Sequence, residues 1–414
     1  MDRRVVITGV GVVSCVGNDV ATFWESLVEG RSGIAPITHF DASEYRTQIA
    51  GEVKGFDIDK YLPMKEARRL DPVCQFAVGA ADEAMAMAGL THDLAGVDPE
   101  RVGVVVGSGI GGITTFEAQC RVLHERGPSK VSPLLIPMMI IDMVSGCLSM
   151  RYGAKGPNMG IVTACATATH SLGESYWMLK RGDADIMISG GAEAAITPIG
   201  CAGFCSMKAM SQRNSEPTRA SRPFDAERDG FVMAEGSGVL ILEELEHAKR
   251  RGANILAEIL GYGATADAYH ITSPAPGGTG GAAAIKNALR HGGIPVEKLG
   301  YINAHGTSTD LNDKFETQAF KLALGGSVGA VAISSTKGAT GHALGAAGAL
   351  ETIACVKALQ TGIIPPTINY ENPDPECDLD YTPNTARELP IKTALNTNLG
   401  FGGHNAAILL GKFE

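Results

Sequence analysis

Short runs of consecutive aliphatic and β-branched residues alternate along this chain with longer stretches whose apolar positions recur at helical spacing. The runs are Arg4–Thr8, Val102–Val106, Gly160–Thr163, Ile186–Ser189, Gly238–Leu242, Ala257–Gly261, Tyr301–Ala304, Ala330–Ser334 and Ala406–Leu410. Continuous apolar runs of this kind predict strands covered by helices on both faces. Helices are predicted over Lys65–Ala88, Ala166–Lys180, Gly281–Arg290, Asp313–Leu324 and Leu344–Thr361. The predicted class is α/β.

An internal echo points to two related halves. His170-Ser171-Leu172-Gly173 and His342-Ala343-Leu344-Gly345 each follow a β-like run, and each opens a small-residue helix that ends near a glycine, Gly182 or Gly362. A repeat of this kind suggests duplicated units. The expected boundary lies near Arg251–Ala253, dividing the chain into 1–252 and 253–414. No Pro/Ser/Gly linker stands there, so the halves are expected to pack as one body.

Composition narrows the picture. With 414 residues and 44% apolar content, the chain can bury a large core, and global disorder is excluded. The net charge of −10 argues against general nucleic-acid binding, which needs a basic face. Two local basic clusters remain, Lys65/Arg68/Arg69 and Arg121/Arg126/Lys130; each alone reads as a solvated helix face. The nine cysteines contain no C-x-x-C pair, so no zinc site or disulfide framework is expected and a reducing cytoplasm fits. The N-terminus carries no signal-peptide pattern, and no apolar stretch is long enough to span a bilayer.

The candidate chemistry lies in three places. Cys165 stands where an apolar run meets a small-residue helix, a setting in which unpaired N–H groups and the helix dipole favour a thiolate. Its own N–H could point into an oxyanion hole. His305, in Asn303-Ala304-His305-Gly306-Thr307-Ser308-Thr309, and His342, in Lys337-Gly338-Ala339-Thr340-Gly341-His342, occupy loops expected at strand C-termini, where α/β sheets carry their sites. Paired imidazoles suit proton transfer and stabilisation of a developing oxyanion. Lys337 and Glu351 could form a buried pair beside them, or could be a surface lysine and a solvated glutamate. Gly400-Phe401-Gly402-Gly403 permits a close backbone approach and a mobile ring. Gly9-Val10-Gly11 and Gly277-Gly278-Thr279-Gly280-Gly281 lack the residues of nucleotide-binding loops.

Taken together, Cys165, His305, Lys337, His342 and the Gly-Phe-Gly-Gly loop resemble the β-ketoacyl-acyl-carrier-protein synthases, most closely type II. The resemblance runs nearly full length, through Val6-Ile7-Thr8-Gly9-Val10-Gly11, Gly107-Ser108-Gly109-Ile110-Gly111-Gly112, Ser221-Arg222-Pro223-Phe224-Asp225 and Arg228-Asp229-Gly230-Phe231. It implies a thiolase-like five-layered α-β-α-β-α fold of two related halves, usually a homodimer. It implies decarboxylative condensation of an acyl chain held on Cys165 with malonyl-carrier protein, without redox cofactor or metal. His305 and His342 would promote decarboxylation and stabilise the enolate. The N–H groups of Cys165 and Phe401 would form the oxyanion hole, Lys337 with Glu351 would support the site, and Phe401 would gate it. Thr272, Thr307 and Thr309 match pantetheine contacts, Ile110 and Phe204 line the acyl tunnel, and Gly400 belongs to the gating loop. Lys65, Arg68, Arg69, Lys130 and Lys208 match the region that receives the acidic acyl carrier protein.

Some positions depart from the family pattern. Leu399 replaces a phenylalanine ahead of the gate, and Asp310 stands where proline is common, which predicts a looser loop. The altered stretch before Phe401 also weakens any structural cation site. Met138 and Met139 are expected to narrow the partner subunit's acyl tunnel. A thiolase would need a second cysteine near the C-terminus, and none follows Cys377. A polyketide-type ketosynthase shares the Cys-His-His set. A catalytically silent chain-length factor would lack the active cysteine.

Overall fold

The computed structural model describes residues 3–414. Nine strands form its main sheet: β1 (Val5–Ser14), β2 (Val102–Gly107), β3 (Ile186–Glu193), β4 (Gly236–Glu244), β5 (Ala257–Ala266), β6 (Tyr301–Asn303), β7 (Ala332–Ser334), β8 (Thr393–Gly400) and β9 (His404–Gly411). Their spatial order is β2-β3-β4-β1-β5-β9-β8-β6-β7. The principal helices are α1 (Pro72–Met87), α2 (Ile113–Arg126), α3 (Met143–Tyr152), α4 (Thr167–Arg181), α5 (Thr279–Gly292), α6 (Asp310–Leu324) and α7 (Ala347–Thr361).

The sheet contains the same topology twice. In the second half, β7 and β8 flank β6 in parallel, β8 pairs antiparallel with β9, and β9 pairs antiparallel with β5. In the first half, β2 pairs parallel with β3, which pairs antiparallel with β4, which pairs antiparallel with β1. The counterpart of β7 is reduced to a single parallel bridge, Val104 to Asn158. The two half-sheets meet where β1 pairs with β5 over Val5–Ile7.

Helices α4 and α7 pack on both half-sheets and form the middle of five layers; α1 and α3 cover the first half, α5 and α6 the second. The central core joins Leu172, Leu179, Leu350 and Ile353 to Ile7, Leu240 and Leu410. Separate outer cores lie under α1 and under α5. Gly9 and Gly11 belong to this packing. A Cβ at Gly9 would sit 2.1 Å from the Ala84 carbonyl oxygen, and one at Gly11 1.9 Å from that of Ala80, so α1 lies flat on β1 only because both side chains are missing.

Three expectations are corrected. Lys65–Ala88 is not one helix: a short helix, Met64–Ala67, stops before Asp71, which caps α1 by accepting the Val73 N–H at 3.2 Å ahead of Pro72 at the first helical position. Proline starts helices readily and bars the preceding residue from continuing one. Gly160–Thr163 forms no strand; past Asn158 the segment lies at a sheet edge with Met159 and Val162 exposed. The register of the internal echo is also different. Ala164 at φ +50° and Leu344 at φ +46° each open a 3-10 turn that leads into α4 or α7, and both helices end on left-handed glycines, Gly182 and Gly362. His170 and His342 are therefore not equivalent, since His170 lies inside α4 whereas His342 precedes its turn.

Candidate active site

The paired turns bring the chemistry together under a cavity of about 550 Å³. Cys165 sits in the turn Ala164–Ala166 just ahead of α4. His305 follows β6, and its backbone is held by Glu316 of α6, whose two carboxylate oxygens accept the His305 and Gly306 N–H groups at 2.7 Å each. His342 follows the helical turn Lys337–Thr340 and donates its backbone N–H to the Val232 carbonyl at 2.8 Å. Ligand atoms of Cys165, His305 and His342 all lie within 4.8 Å of one another. The imidazoles meet edge to face, with centroids 5.3 Å apart.

Electrostatics define what this trio does. Burial pushes the Cys165 thiol up to about 12, only partly opposed by the Lys337 ammonium. A displacement of that size corresponds to about 4 kcal/mol, more than the ~2 kcal/mol a favourable helix terminus supplies. Burial thus works against the thiolate that the helix start favours. Burial also drives His305 and His342 well below the ordinary histidine range, reinforced by Lys337 and, for His305, by His342. Both imidazoles are neutral at pH 7.

The second ring of contacts settles the His305 tautomer. Lys337 Nζ donates to the His305 carbonyl at 2.6 Å and lies 3.4 Å from His305 Nδ1. It also pairs with Glu351 Oε1, both side chains being almost fully buried. Asn398 Nδ2 donates to Glu351 Oε2 at 2.7 Å and faces His305 Nδ1 at 3.3 Å, while Asn398 Oδ1 accepts from Thr169 Oγ1. Two donors directed at Nδ1 make it an acceptor, so the imidazole proton is on Nε2. Neither ring nitrogen of His342 has a protein partner, and its ring lines the cavity.

The trio offers three donor atoms, the number found in catalytic zinc sites. A nearby ammonium and a thiol that resists deprotonation oppose a dication, so the set fits acyl and proton chemistry better.

The remaining predicted residues fall as follows. Ile110, Phe204, Thr272, Thr307, Thr309, Gly400 and Phe401 all line the same cavity, as does Lys208 at its mouth. A Cβ on Gly400 would lie 2.5 Å from the Thr163 carbonyl oxygen and 3.3 Å from Cys165 N, which confirms the expected close backbone approach. Lys65, Arg68, Arg69 and Lys130 are exposed but do not line the cavity. Leu399 packs toward Gly281 beside a void of about 10 Å³ bordered by Ala284, Glu316 and Phe320. Around Asp310, the Arg228 guanidinium donates to the Thr309 and Asp310 carbonyls at 3.2 and 3.0 Å. Asn398, Glu316 and Arg228 were missed as site residues. Buried polar residues in a central strand, as at Asn396 and Asn398, were the available signal.

Comparison with known proteins agrees with this geometry. The family model described as "Beta-ketoacyl synthase, N-terminal domain" matches residues 2–248, and "Beta-ketoacyl synthase, C-terminal domain" matches 256–371. The chain is 50% identical over 412 residues to the 3-oxoacyl-[acyl-carrier-protein] synthase 2 of Synechocystis sp., covering 100% of this chain and 99% of that protein. It is 50% identical over 410 residues to the protein of the same name from Coxiella burnetii, covering 99% of each. Among solved structures, a β-ketoacyl synthase from Burkholderia phymatum superposes with a TM-score of 0.93 at 34% identity over the whole of both chains. A chain from the complex of a type II polyketide acyl-carrier protein with its hexaketide-bound ketosynthase superposes with a TM-score of 0.92 at 36% identity, again over all of both. With both halves matched and relatives half identical from end to end, this chain belongs to the β-ketoacyl synthase family.

Proposed function

We propose that the protein is a type II 3-oxoacyl-[acyl-carrier-protein] synthase that elongates fatty acyl chains by decarboxylative condensation. The observation that carries this reading is the convergence of one thiol and two neutral imidazoles at one cavity. Cys165 Sγ attacks the acyl thioester, its proton passing to a neighbouring neutral imidazole as the S–C bond forms. The tetrahedral oxyanion is received by the N–H groups of Cys165 and Phe401, an assignment supported by the approach of Gly400 to Cys165 N. Collapse breaks the bond to the carrier sulfur, the imidazolium returns its proton to that departing thiolate, and acyl-Cys165 and a neutral imidazole remain.

Malonyl-carrier protein then enters, with Thr272, Thr307 and Thr309 contacting the pantetheine arm. The Nε2–H of His305 and a ring N–H of His342 donate to the malonyl thioester oxygen. They stabilise the enolate that forms as the C–C bond to the carboxylate breaks and CO2 leaves. The enolate carbon attacks the acyl thioester and the C–S bond breaks; Cys165 leaves as the thiolate and takes a proton from solvent water, giving 3-oxoacyl-carrier protein and free Cys165. Lys337, fixed by Glu351, holds His305 in the donating tautomer, and Phe401 separates the half-reactions as a gate. No redox cofactor enters this scheme.

The acyl carrier protein docks on Lys65, Arg68, Arg69, Lys130 and Lys208. Among the described residues none of these five is engaged in an ion pair, leaving them for an acidic partner. The chain acts as a homodimer within the cytoplasm. The exposed Met159 and Val162 at an unpaired sheet edge, with Ile136 and Met150 nearby in sequence, support self-association. The nine free cysteines suit a reducing compartment. The boundary near Arg251–Ala253 falls between the two copies of the strand topology. Met138 and Met139, in the short helix Leu135–Met139, narrow the partner's tunnel; an unchanged acyl-length profile after replacing both by Ala would sink that point.

The deciding experiment mixes purified protein with acyl- and malonyl-carrier proteins and repeats the assay with Cys165→Ala. Loss of condensation with retained malonyl decarboxylation is expected. The assignment is falsified if the variant condenses at the wild-type rate. Fatty-acid rather than polyketide products are expected from the wild type.

A further inference from the structure

Glu193, the last residue of β3, is fully buried and has no part in the mechanism above. Its carboxylate collects four donors. Oε1 accepts from Ser108 Oγ at 2.8 Å and from the Ile110 N–H at 3.2 Å. Oε2 accepts from the Gly109 N–H at 2.8 Å and the Gly345 N–H at 2.9 Å. Among the described residues no Lys, Arg or His pairs with it. A buried carboxylate without a counter-ion is costly, and this one is held by hydrogen bonds alone.

The donors come from two separate walls of the cavity. Ser108–Ile110 follows β2 in the first half of the chain, whereas Gly345 belongs to the turn before α7 in the second. Ile110 and Leu344, beside the bonded amides, line the cavity with Cys165 and pack in one apolar cluster with it and Phe204. The walls touch through glycines. A Cβ on Gly345 would lie 2.3 Å from Gly109 N and 2.7 Å from Glu193 Oε2. All four partners donate, so the group must be acceptor-only; an amide of the same shape would turn an NH2 toward two of them.

We propose that Glu193 is a positioning residue whose carboxylate clamps the Ile110 and Leu344 walls together and thereby sets which acyl chains fit beside Cys165. The inference rests on the condensing reading above. The His305–His342 pair is anchored separately, through Glu316, Lys337 and Val232, and does not depend on this clamp. A long chain needs both walls in register along its length, whereas a short chain reaches little beyond the thiol.

The test compares Glu193→Gln with the wild type in three measurements: transfer of a dodecanoyl group from acyl-carrier protein to Cys165, transfer of a butanoyl group, and decarboxylation of malonyl-carrier protein. The expected result is a change of about tenfold in the dodecanoyl-to-butanoyl ratio with decarboxylation within about threefold of wild type. A purely structural role would lower all three together and leave the ratio unmoved; that result, or no change at all, overturns the proposal. Should Glu193→Gln fail to fold, Ser108→Ala removes a single donor and is expected to move the ratio in the same sense by about threefold; an unmoved ratio there also overturns it. Wild-type protein that neither takes up acyl groups nor decarboxylates malonyl groups would instead refute the condensing function.

Discussion

Replacing Lys337 by methionine separates electrostatics from packing at the heart of the site. The lysine is 1% exposed and donates to Glu351 and to the His305 carbonyl. Lys337→Met keeps much of its volume and leaves Glu351 with only the Asn398 hydrogen bond at 2.7 Å. Removing one partner of a buried ion pair costs about 3–5 kcal/mol, because the other charge stays buried and uncompensated. For a chain of 414 residues that corresponds to a fall in Tm of about 3–6 °C. The double variant Lys337→Met/Glu351→Gln removes both charges and is expected to recover most of the lost stability, since replacing a whole buried pair is nearly neutral. Decarboxylation behaves differently. It falls by about a hundredfold in the single variant, because His305 Nδ1 loses the cation that fixes its Nε2–H for the oxyanion, and it stays low in the double. Calorimetry at one scan rate and CO2 release from malonyl-carrier protein measure the two quantities. A single variant that melts with the wild type, or a double variant that regains full decarboxylation, would refute the reasoning.

Further outcomes follow from the same geometry. Gly400→Ala places a Cβ 2.5 Å from the Thr163 oxygen; acyl transfer is expected to drop at least ~tenfold with a stability cost of about 1–3 kcal/mol, and transfer at the normal rate would contradict the close approach. Because His305 and His342 are held neutral, decarboxylation is expected to stay flat as pH falls from about 7.5 to about 5.5, and an acid limb near the ordinary histidine value of about 6.5 would count against it. Glu316 is raised to about 7 by burial, so the folded state holds a proton that the unfolded state has released. Its contribution is present below about 4.5 and is lost as pH rises through about 7, by roughly 3 kcal/mol. The Tm of wild type relative to Glu316→Gln should therefore decline across that window, and a pH-independent difference would rule the effect out.

The parts legible in the sequence were those whose signal is local. Apolar runs identified eight of the nine main-sheet strands because those strands are largely buried on both faces, so polar residues such as Glu258 and Asn303 are few in them. β8 escaped because Asn396, Thr397 and Asn398 stand in it; these polar side chains bond across the chain to Gly348, Thr352, Glu316, Glu351 and Thr169. Gly160–Thr163 misled for the opposite reason, since its apolar residues stand at an edge with no strand beside them in this chain. Cys165, His305 and His342 could be singled out because reactive residue types stood in glycine- and small-residue-rich loops. Glu193, Glu316 and Arg228 could not, because an isolated charged residue at a strand end, in a helix or in a loop looks like a surface group.

By itself the sequence determined the α/β class, the candidate site residues that the fold brings together and, through spaced motifs, the family. Those properties depend on which residues are present and how far apart they stand. The tertiary structure alone decided protonation and register. Burial works against the Cys165 thiolate that the helix start favours; donors from a helical turn and a strand fix the His305 tautomer; and the duplicated turns align Ala164 with Leu344. Each of these is a sum over neighbours far apart in the chain, and such sums exist only after folding has brought the groups into contact.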